Sequence, residues 1–311
     1  MSEEEVRPRF GNRKLENPEN VFKHNAWDNA EWTEEQEAEA LSKTKHQLVK
    51  AASDDKRMSL LEKPSSSWDK FYQVHKNKFF KDRHWLFTEF PELLHNVTPL
   101  PVPNSEDESG QGVFPGHNKK LRFMEIGCGA GNTIFPLMKV KESADFFMYG
   151  CDFAESAVEV VRTSPEFDTE RCHVFVHDIT SEVDYPVPEN SLDIVILIFV
   201  LSAVEFTKMK SAVAKLAKLL KPGGVILFRD YGRYDLAQLR FKDGKCLEEN
   251  FYHRGDGTLV YFFTQDDVKD IFTSAGLIEQ QNLVDRRLQV NRARQLKMYR
   301  VWLQAKYQKP L

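Results

Sequence analysis

The chain holds only four cysteines in 311 residues: Cys128, Cys151, Cys172 and Cys246. No two of them form a C-x-x-C pair or stand at metal-ligand spacing. A disulfide scaffold and a zinc module are therefore not expected, no metal site is assigned, and a reducing compartment fits. Long apolar runs are missing too. The longest, Ile194 to Leu201, has eight residues, too few to span a bilayer. The opening Met1-Ser-Glu-Glu-Glu-Val has neither the charged-then-apolar order of a secretory signal nor the Arg-rich, acid-poor character of a transit peptide. Secretion, membrane attachment and mitochondrial import are not expected; a cytoplasmic location is, with the nucleus as the alternative. Excess positive charge is lacking, since the net charge is -4, so any polyanion must be met by a local basic patch. No internal repeat is visible. What remains is ordinary for a globular protein, 41% apolar and 29% charged. The length suits one core domain of roughly 200 residues with extensions, able to bury its core without disulfides.

Composition divides the chain into four stretches. Residues 1–66 read as a polar arm, with Glu34–Lys50 a helix on the strength of its Glu and Ala content. Within it, Phe22, Trp27 and Trp32 stand in an otherwise polar segment; a strap on the core surface and an RNA- or partner-contacting arm are the two readings. Residues 67–94 alternate aromatics with Lys and Arg. Residues 95–118, rich in Pro, Ser, Gly and acids, read as a flexible linker. From 119 to 311 strands and helices alternate.

The strands expected there are Leu121–Ile126, Phe146–Cys151, Cys172–Val176, Leu192–Val200 and Val225–Phe228, with a late one at Met298–Tyr307. Helices are expected at Thr133–Val140, Glu155–Thr163, Lys208–Leu220 and Gln265–Ala275, the third ended by Lys221-Pro222-Gly223-Gly224. An almost wholly apolar strand such as Leu192–Val200 belongs in a parallel sheet covered on both faces. The alternation predicts an α/β fold, Rossmann-like, with a mostly parallel doubly wound sheet and an N-terminal extension.

Glu125-Ile-Gly127-Cys-Gly129-Ala-Gly131-Asn follows a strand and opens a helix. Glycines let the backbone turn tightly and approach a ligand, and the helix start offers free N–H groups. The spacing G-x-G-x-G differs from the dinucleotide pattern. Asp152 ends the second strand, where a carboxylate accepts both ribose hydroxyl protons of an adenosine. Asp178 ends the third, where the adenine amino group lies. Three acids at successive strand ends (Glu125, Asp152, Asp178) fit S-adenosylmethionine better than a nicotinamide cofactor.

At this point the chain resembles the class I S-adenosylmethionine-dependent methyltransferases, and more narrowly the tRNA N3-methylcytidine methyltransferases of the methyltransferase-like group. The stretches that carry the resemblance include WDKFY, FFKDRHW, MEIGCGAGN, ILIFVLSAV, KPGG, FRDYGRYDLAQLRF, NFY, RGDGT and YFFTQ; VFKHNAWDNAEW and NLVDRRLQVNR look like the threonine-tRNA branch. The resemblance implies cofactor contacts at Trp68, Tyr72, Gly127, Asp152, Asp178, Ile179 and Ile198. Trp68 and Tyr72, at i and i+4, share a helix face and either close over the cofactor or dock the arm. Residues 67–94 then serve as cofactor lid and tRNA-binding segment.

The implied reaction is methylation of cytidine N3, at cytidine 32 of the anticodon loop of threonine tRNAs or of an arginine tRNA. Some relatives work with an accessory protein, such as an aminoacyl-tRNA synthetase or a tRNA adaptor. The chain lacks the Asn- or Asp-Pro-Pro-aromatic motif of many amino-group methyltransferases. N3 of neutral cytosine has a free lone pair, so alignment and water exclusion suffice for catalysis. Asp230, after the fifth strand, is the expected carboxylate beside the developing positive charge; an ion pair with Arg229 is its structural alternative. Phe199, Tyr231 and Tyr234 are stacking candidates or core, and Arg254–Thr258 a turn edging the pocket. For the tRNA backbone, Lys81, Arg83, His84, Arg286 and Arg287 are the candidates. Residues 281–311 hold eight Lys/Arg against one Asp, a local +7 that suits phosphates. The rivals are a methyltransferase on another acceptor, a non-catalytic tRNA-binding scaffold and, more distantly, a nicotinamide dehydrogenase.

Overall fold

A computed structural model describes residues 13–94, 99–101, 114–141, 143 and 145–311. Most of the expected linker, 95–118, lies outside the described residues, as does the start of the arm. In chain order the elements are β1 (Ala26–Asp28), α1 (Glu34–Val49), α2 (Asp54–Glu62), α3 (Pro64–His75), α4 (Leu86–Glu89), β2 (Leu121–Ile126), α5 (Ile134–Val140), β3 (Phe146–Asp152), α6 (Glu155–Arg162), β4 (Cys172–Val176), β5 (Leu192–Ile198), α7 (Phe206–Leu219), β6 (Leu220–Tyr231), α8 (Leu236–Leu239), β7 (Cys246–Glu248), β8 (Phe251–His253), β9 (Leu259–Tyr261), α9 (Gln265–Ser274), β10 (Ile278–Asn291) and β11 (Leu296–Gln308).

Every residue of β2, β3 and β5 is buried, as apolar strands covered on both faces must be. Among the described residues eight strands form one sheet in the order β1-β10-β11-β6-β5-β2-β3-β4. Strands β6, β5, β2, β3 and β4 run parallel, while β11, β10 and β1 add antiparallel. The chain winds one way from β2 to β3 and β4, then the other way to β5 and β6. The crevice between the ends of β2 and β5 is thus the switch point where α/β sheets bind ligands. Helix α6 shows the packing logic: Ala157, Val158 and Val161 share its buried face.

Beyond this frame the sequence-based expectations change in three places. β5 stops at Ile198 because Phe199 takes a left-handed φ of 59°. β6 begins at Leu220 and runs through Lys221-Pro-Gly-Gly, pairing with both β5 and β11. β10 and β1 were not anticipated.

The arm is built into the fold rather than merely laid on it. Trp27 is buried with Val21, Leu288 and Val290, its indole donating to the Val21 carbonyl at 2.8 Å, and β1 pairs with β10. Trp32 stacks on Tyr234 at 6.3 Å. The polar helix α1 is held by Gln47, which donates to the carbonyls of Gln238 and Phe241 and accepts from the Tyr252 hydroxyl, each at 2.9 Å.

Candidate functional site

At the switch point lies a cavity of about 540 Å³, within the range of small-molecule sites. Gly127 and Gly129 follow β2 with φ of 62° and 52°, a region glycine enters without a Cβ penalty. A Cβ at Gly127 would fall on Val200, and one at Gly129 on the Tyr72 hydroxyl. The loop is a cradle that side chains would fill.

Asp152 ends β3 and lines the cavity. Its oxygens accept from the Gly129 amide at 3.0 Å and the Ala154 amide at 2.9 Å, so it also fixes the glycine loop. Burial pushes its carboxyl up to about 6, against those backbone N–H groups. Asp178 lines the cavity one strand further on and accepts from the Thr180 amide and hydroxyl, both at 2.8 Å. Ile179 and Ile198 are lining residues as well. His177 joins them, its imidazole packed against Tyr185 at 3.9 Å and its Nε2 buried without a partner among the described residues.

Trp68 and Tyr72 stand on α3 with their rings stacked at 6.0 Å, and both line the cavity. The contacts show the docking of the arm. α3 is pinned to α6 by Asp69, which accepts from the Ser156 amide at 3.1 Å and hydroxyl at 2.9 Å. Burial raises the Tyr72 phenol well above its ordinary value, with Asp152 adding to the rise.

Glu125 is fully buried at the end of β2 and pairs with Arg83 at 3.1 Å. Burial lifts its carboxyl to about 7, opposed by Arg83, and its Oε2 has no partner among the described residues. Arg83 also reaches the Thr133 hydroxyl at 3.3 Å and lines the cavity. It therefore faces inward rather than presenting a free cation to a phosphate.

Arg287 departs from expectation in the same way. It pairs with Glu89 at 3.1 Å and Asp285 at 2.7 Å, across 198 residues of sequence in the first case. Lys81, His84 and Arg286 are exposed. The two basic segments meet, because Arg229 lies between the rings of Trp85 and Trp302 at 5.3 and 5.1 Å.

Asp230 does not line the cavity. It is completely buried, and its oxygens accept from the Ser202 and Tyr231 amides at 2.9 Å each. Burial raises its carboxyl to about 6. Nor does it pair with Arg229, whose partner is Asp285. Side chains alternate faces along a strand, so the cavity receives Tyr231 while Asp230 positions the two residues beside it. Phe199 lines the cavity, its ring 5.0 Å from Tyr231; a non-glycine residue held in left-handed backbone marks strain often found at functional sites. Tyr234 stacks on Trp32 instead. From the turn after β8, Arg254, Asp256 and Thr258 line the cavity, and Arg254 sits over Tyr231 at 5.5 Å. Leu61, Pro64, Glu205 and Lys208 are also among the lining residues. These four escaped sequence reasoning; only the proline opening α3 hinted at a bend there.

Residues 124–226 match a family model described as a methyltransferase domain. The chain is 52% identical over 324 residues to the tRNA N(3)-cytidine methyltransferase METTL2 of Danio rerio, covering all of this chain and 92% of that protein. It is 47% identical to the tRNA N(3)-cytidine methyltransferase METTL2B of Homo sapiens, covering 98% and 94%. Against the tRNA(Thr) (cytosine(32)-N(3))-methyltransferase of Saccharomyces cerevisiae it is 43% identical, over 97% of this chain and 46% of that one. Among solved structures, the PH0226 protein of Pyrococcus horikoshii is similar in fold, with a TM-score of 0.51 at 14% identity, covering 77% of this chain and 98% of that one.

Proposed function

This chain belongs to the tRNA N(3)-cytidine methyltransferases, and from that premise we propose that it transfers a methyl group from S-adenosylmethionine to N3 of cytidine 32 in threonine tRNAs, with arginine tRNA as a further substrate. The observation that carries the cofactor is the cavity that joins the glycine cradle, Asp152, Asp178 and the α3 aromatics at the switch point.

The residues present fit that group. Gly127 lines the cavity and, with Gly129, lets Val200 and Tyr72 close on the loop; Asp152 suits the ribose hydroxyls, and Asp178 suits the adenine amino group. Ile179 and Ile198 offer apolar faces, and Trp68 with Tyr72 excludes water from above. When bound, S-adenosylmethionine supplies an electrophilic methyl on a sulfonium. The chain's own task is then alignment, because N3 of cytosine needs no base to expose its lone pair. N3 is engaged in a Watson–Crick pair within a duplex, so the target must be unpaired or turned out of its stack. The strained Phe199 and Tyr231 offer a stacking shelf for it. Asp230 holds that shelf through the Ser202 and Tyr231 amides. Exposed Lys81, His84 and Arg286 are suited to the phosphates, and an accessory protein such as an aminoacyl-tRNA synthetase or adaptor belongs to the same reading. Four buried thiols suit the reducing cytoplasm.

The test is direct. Protein, S-adenosylmethionine and unmodified threonine tRNA transcript are incubated, and the nucleosides are identified by mass spectrometry. N3-methylcytidine at position 32, absent with Asp152→Ala, is the expected result. Cofactor binding without any such product, even when cell extract supplies modified tRNA and partners, would overturn the acceptor assignment.

A further inference from the structure

The turn that enters the cavity opposite the adenosine-facing acids carries one cation and one anion two residues apart. Asp152 ends β3 and Asp178 follows β4. Arg254 and Asp256 approach from the other side, beside β6 and over Tyr231. The turn is closed by the Arg254 amide donating to the Thr258 carbonyl at 2.8 Å and the Gly257 amide to the Arg254 carbonyl at 3.1 Å. Gly257 has a φ of 84°, and a Cβ there would meet the Ser67 hydroxyl of α3, so the turn packs against that helix.

Each charged group is half engaged. Asp256 uses Oδ1 to accept from the Thr258 amide at 2.9 Å and hydroxyl at 2.7 Å. Its Oδ2 has no hydrogen-bond partner among the described residues. Arg254 uses Nη1 on the Thr258 hydroxyl at 3.4 Å and the Leu259 carbonyl at 3.2 Å; Nε and Nη2 have none among the described residues. One fixed turn therefore offers three N–H donors on two nitrogens and one carboxylate oxygen to the cavity.

We propose that this turn reads the target base: Arg254 donates to the O2 carbonyl of cytosine and Asp256 accepts from its N4 amino group, with the ring against Phe199 and Tyr231. The assignment rests on the cytidine-N3 reading above and deepens it. Cytosine presents an acceptor at O2, a lone pair at N3 and a donor at N4, so holding the two flanking groups leaves N3 free. Uracil presents a carbonyl at position 4, which the Asp256 carboxylate repels, and a proton on N3. As the N3 lone pair bonds to the methyl carbon, the carbon–sulfur pair returns to sulfur and the base becomes a cation with no proton moved. That charge spreads onto the N4 amino group, where Asp256 stabilises it. Asp256 thus holds the place the sequence had suggested for Asp230.

The experiment is a cycle between side chain and base. Threonine tRNA is prepared with cytidine 32 or with the pyrimidin-2-one riboside, which keeps the N3 lone pair and lacks the N4 amino group. Single-turnover methylation is measured for wild type and Asp256→Asn, a variant that keeps the Oδ1 acceptor and hence the turn. The lower basicity of N3 in the analogue slows both proteins alike and cancels in the ratio. Loss of the amino group is expected to slow the wild type about tenfold more than the variant, as for a lost hydrogen bond to a charged partner. Equal slowing in both would overturn the assignment. S-adenosylhomocysteine affinity and circular dichroism matching wild type establish that the variant is folded, and Asp256→Ser, whose hydroxyl can accept within the turn, is read by the same ratio should they not match. If wild type binds S-adenosylhomocysteine and yet leaves cytidine 32 unmethylated, the reaction reading itself has failed and this assignment falls with it.

Discussion

Affinity for the cofactor is expected to weaken in mild acid, and Asp152 sets the size of the effect. Its carboxyl is buried at the end of β3 and stands at about 6 instead of 3.8, which means that ionising it in place costs roughly 3 kcal/mol. Folded protein holds that proton more tightly than the unfolded chain. The stability Asp152 contributes is therefore full below about pH 4 and is lost as pH rises through about 6. Ligand binding follows the opposite course. Two ribose hydroxyls donate best to the carboxylate anion, so binding favours the deprotonated form. With the proton leaving at about 6, the affinity for S-adenosylhomocysteine is expected to be about tenfold weaker at pH 5 than at pH 7.5. The ligand's own amino and carboxyl groups titrate outside that window. Calorimetry reads the dissociation constant, and at pH 6 the heat should depend on the buffer because about half a proton is released. The charged or titratable neighbours are Asp69 on α3, Tyr72, Cys128, Cys151, and Glu125 on β2, the last standing at about 7 beside Arg83. Asp152→Asn separates them: binding is weaker throughout, and the dependence between pH 5 and 7.5 disappears. A slope that survives in Asp152→Asn would refute the reasoning and assign the proton to Glu125 or to His177, which also lines the cavity.

Three further perturbations test individual contacts. Gly129→Ala places a side chain at φ 52° and against the Tyr72 hydroxyl; strain of about 1–2 kcal/mol and at least about tenfold weaker S-adenosylhomocysteine binding are expected, and unchanged affinity by calorimetry would contradict the cradle. Lys221→Ala leaves Asp193, with which it forms a completely buried pair at 2.8 Å, without its cation. A loss of about 3–5 kcal/mol in urea unfolding is expected, and a loss below about 1 kcal/mol would mean that the Leu100 and Arg122 amides, which also donate to Asp193, suffice. Gln47→Ala removes three buried hydrogen bonds that hold α1, so hydrogen exchange over residues 34–49 should accelerate while the β2–β5 core stays protected; an unchanged α1 would show that Trp27 and β1 alone retain the arm.

The parallel frame was legible because a strand buried on both faces is apolar throughout. Leu121–Ile126 and Cys172–Val176 have the limits that pattern predicts, and the ends of β3 and β5 differ by one and two residues. β10 was invisible because most of it is exposed or half-buried and it carries charges inside the strand, such as Asp285 and Arg287. Pairing with β11 across a short turn and with β1, far away in sequence, makes it a strand. The cofactor side of the cavity is written in local signals: a glycine loop, and acids at strand ends. Its acceptor side joins residues 199–208, Tyr231 and 254–259, none of which announces the others. The strand-end rule brought attention to Asp230 and stopped one residue short, since the pleat turns Tyr231 into the cavity and Asp230 away from it. Arg83 and Arg287 show a related limit. A count of cations sees charge, while the acids that neutralise them, Glu125, Glu89 and Asp285, come from other elements.

On the proposed reading, that engagement of Arg83 ties the two substrates together. The segment carrying exposed Lys81 and His84 is bonded directly to the glycine loop. The Arg83 amide donates to the Asn132 carbonyl at 2.9 Å, the Asn132 side chain donates to the Phe80 carbonyl at 3.3 Å, and the Arg83 guanidinium holds Glu125. A phosphate backbone that grips this segment cannot shift it without shifting the loop that cradles the cofactor. Binding of one substrate should therefore change the affinity for the other by the same factor, since linkage is reciprocal. A coupling of about fivefold or more is the usual scale for such a connection. Titrating S-adenosylhomocysteine into the protein with and without saturating threonine tRNA measures one side, and tRNA binding with and without S-adenosylhomocysteine the other. The Asn132→Ala variant, which loses the link to Phe80 and keeps the Arg83 pair, should show a smaller factor on both sides. Equal affinities with and without tRNA would mean that the backbone is held elsewhere, at Arg286 and the β10–β11 hairpin, and that the 78–85 segment serves the cofactor alone.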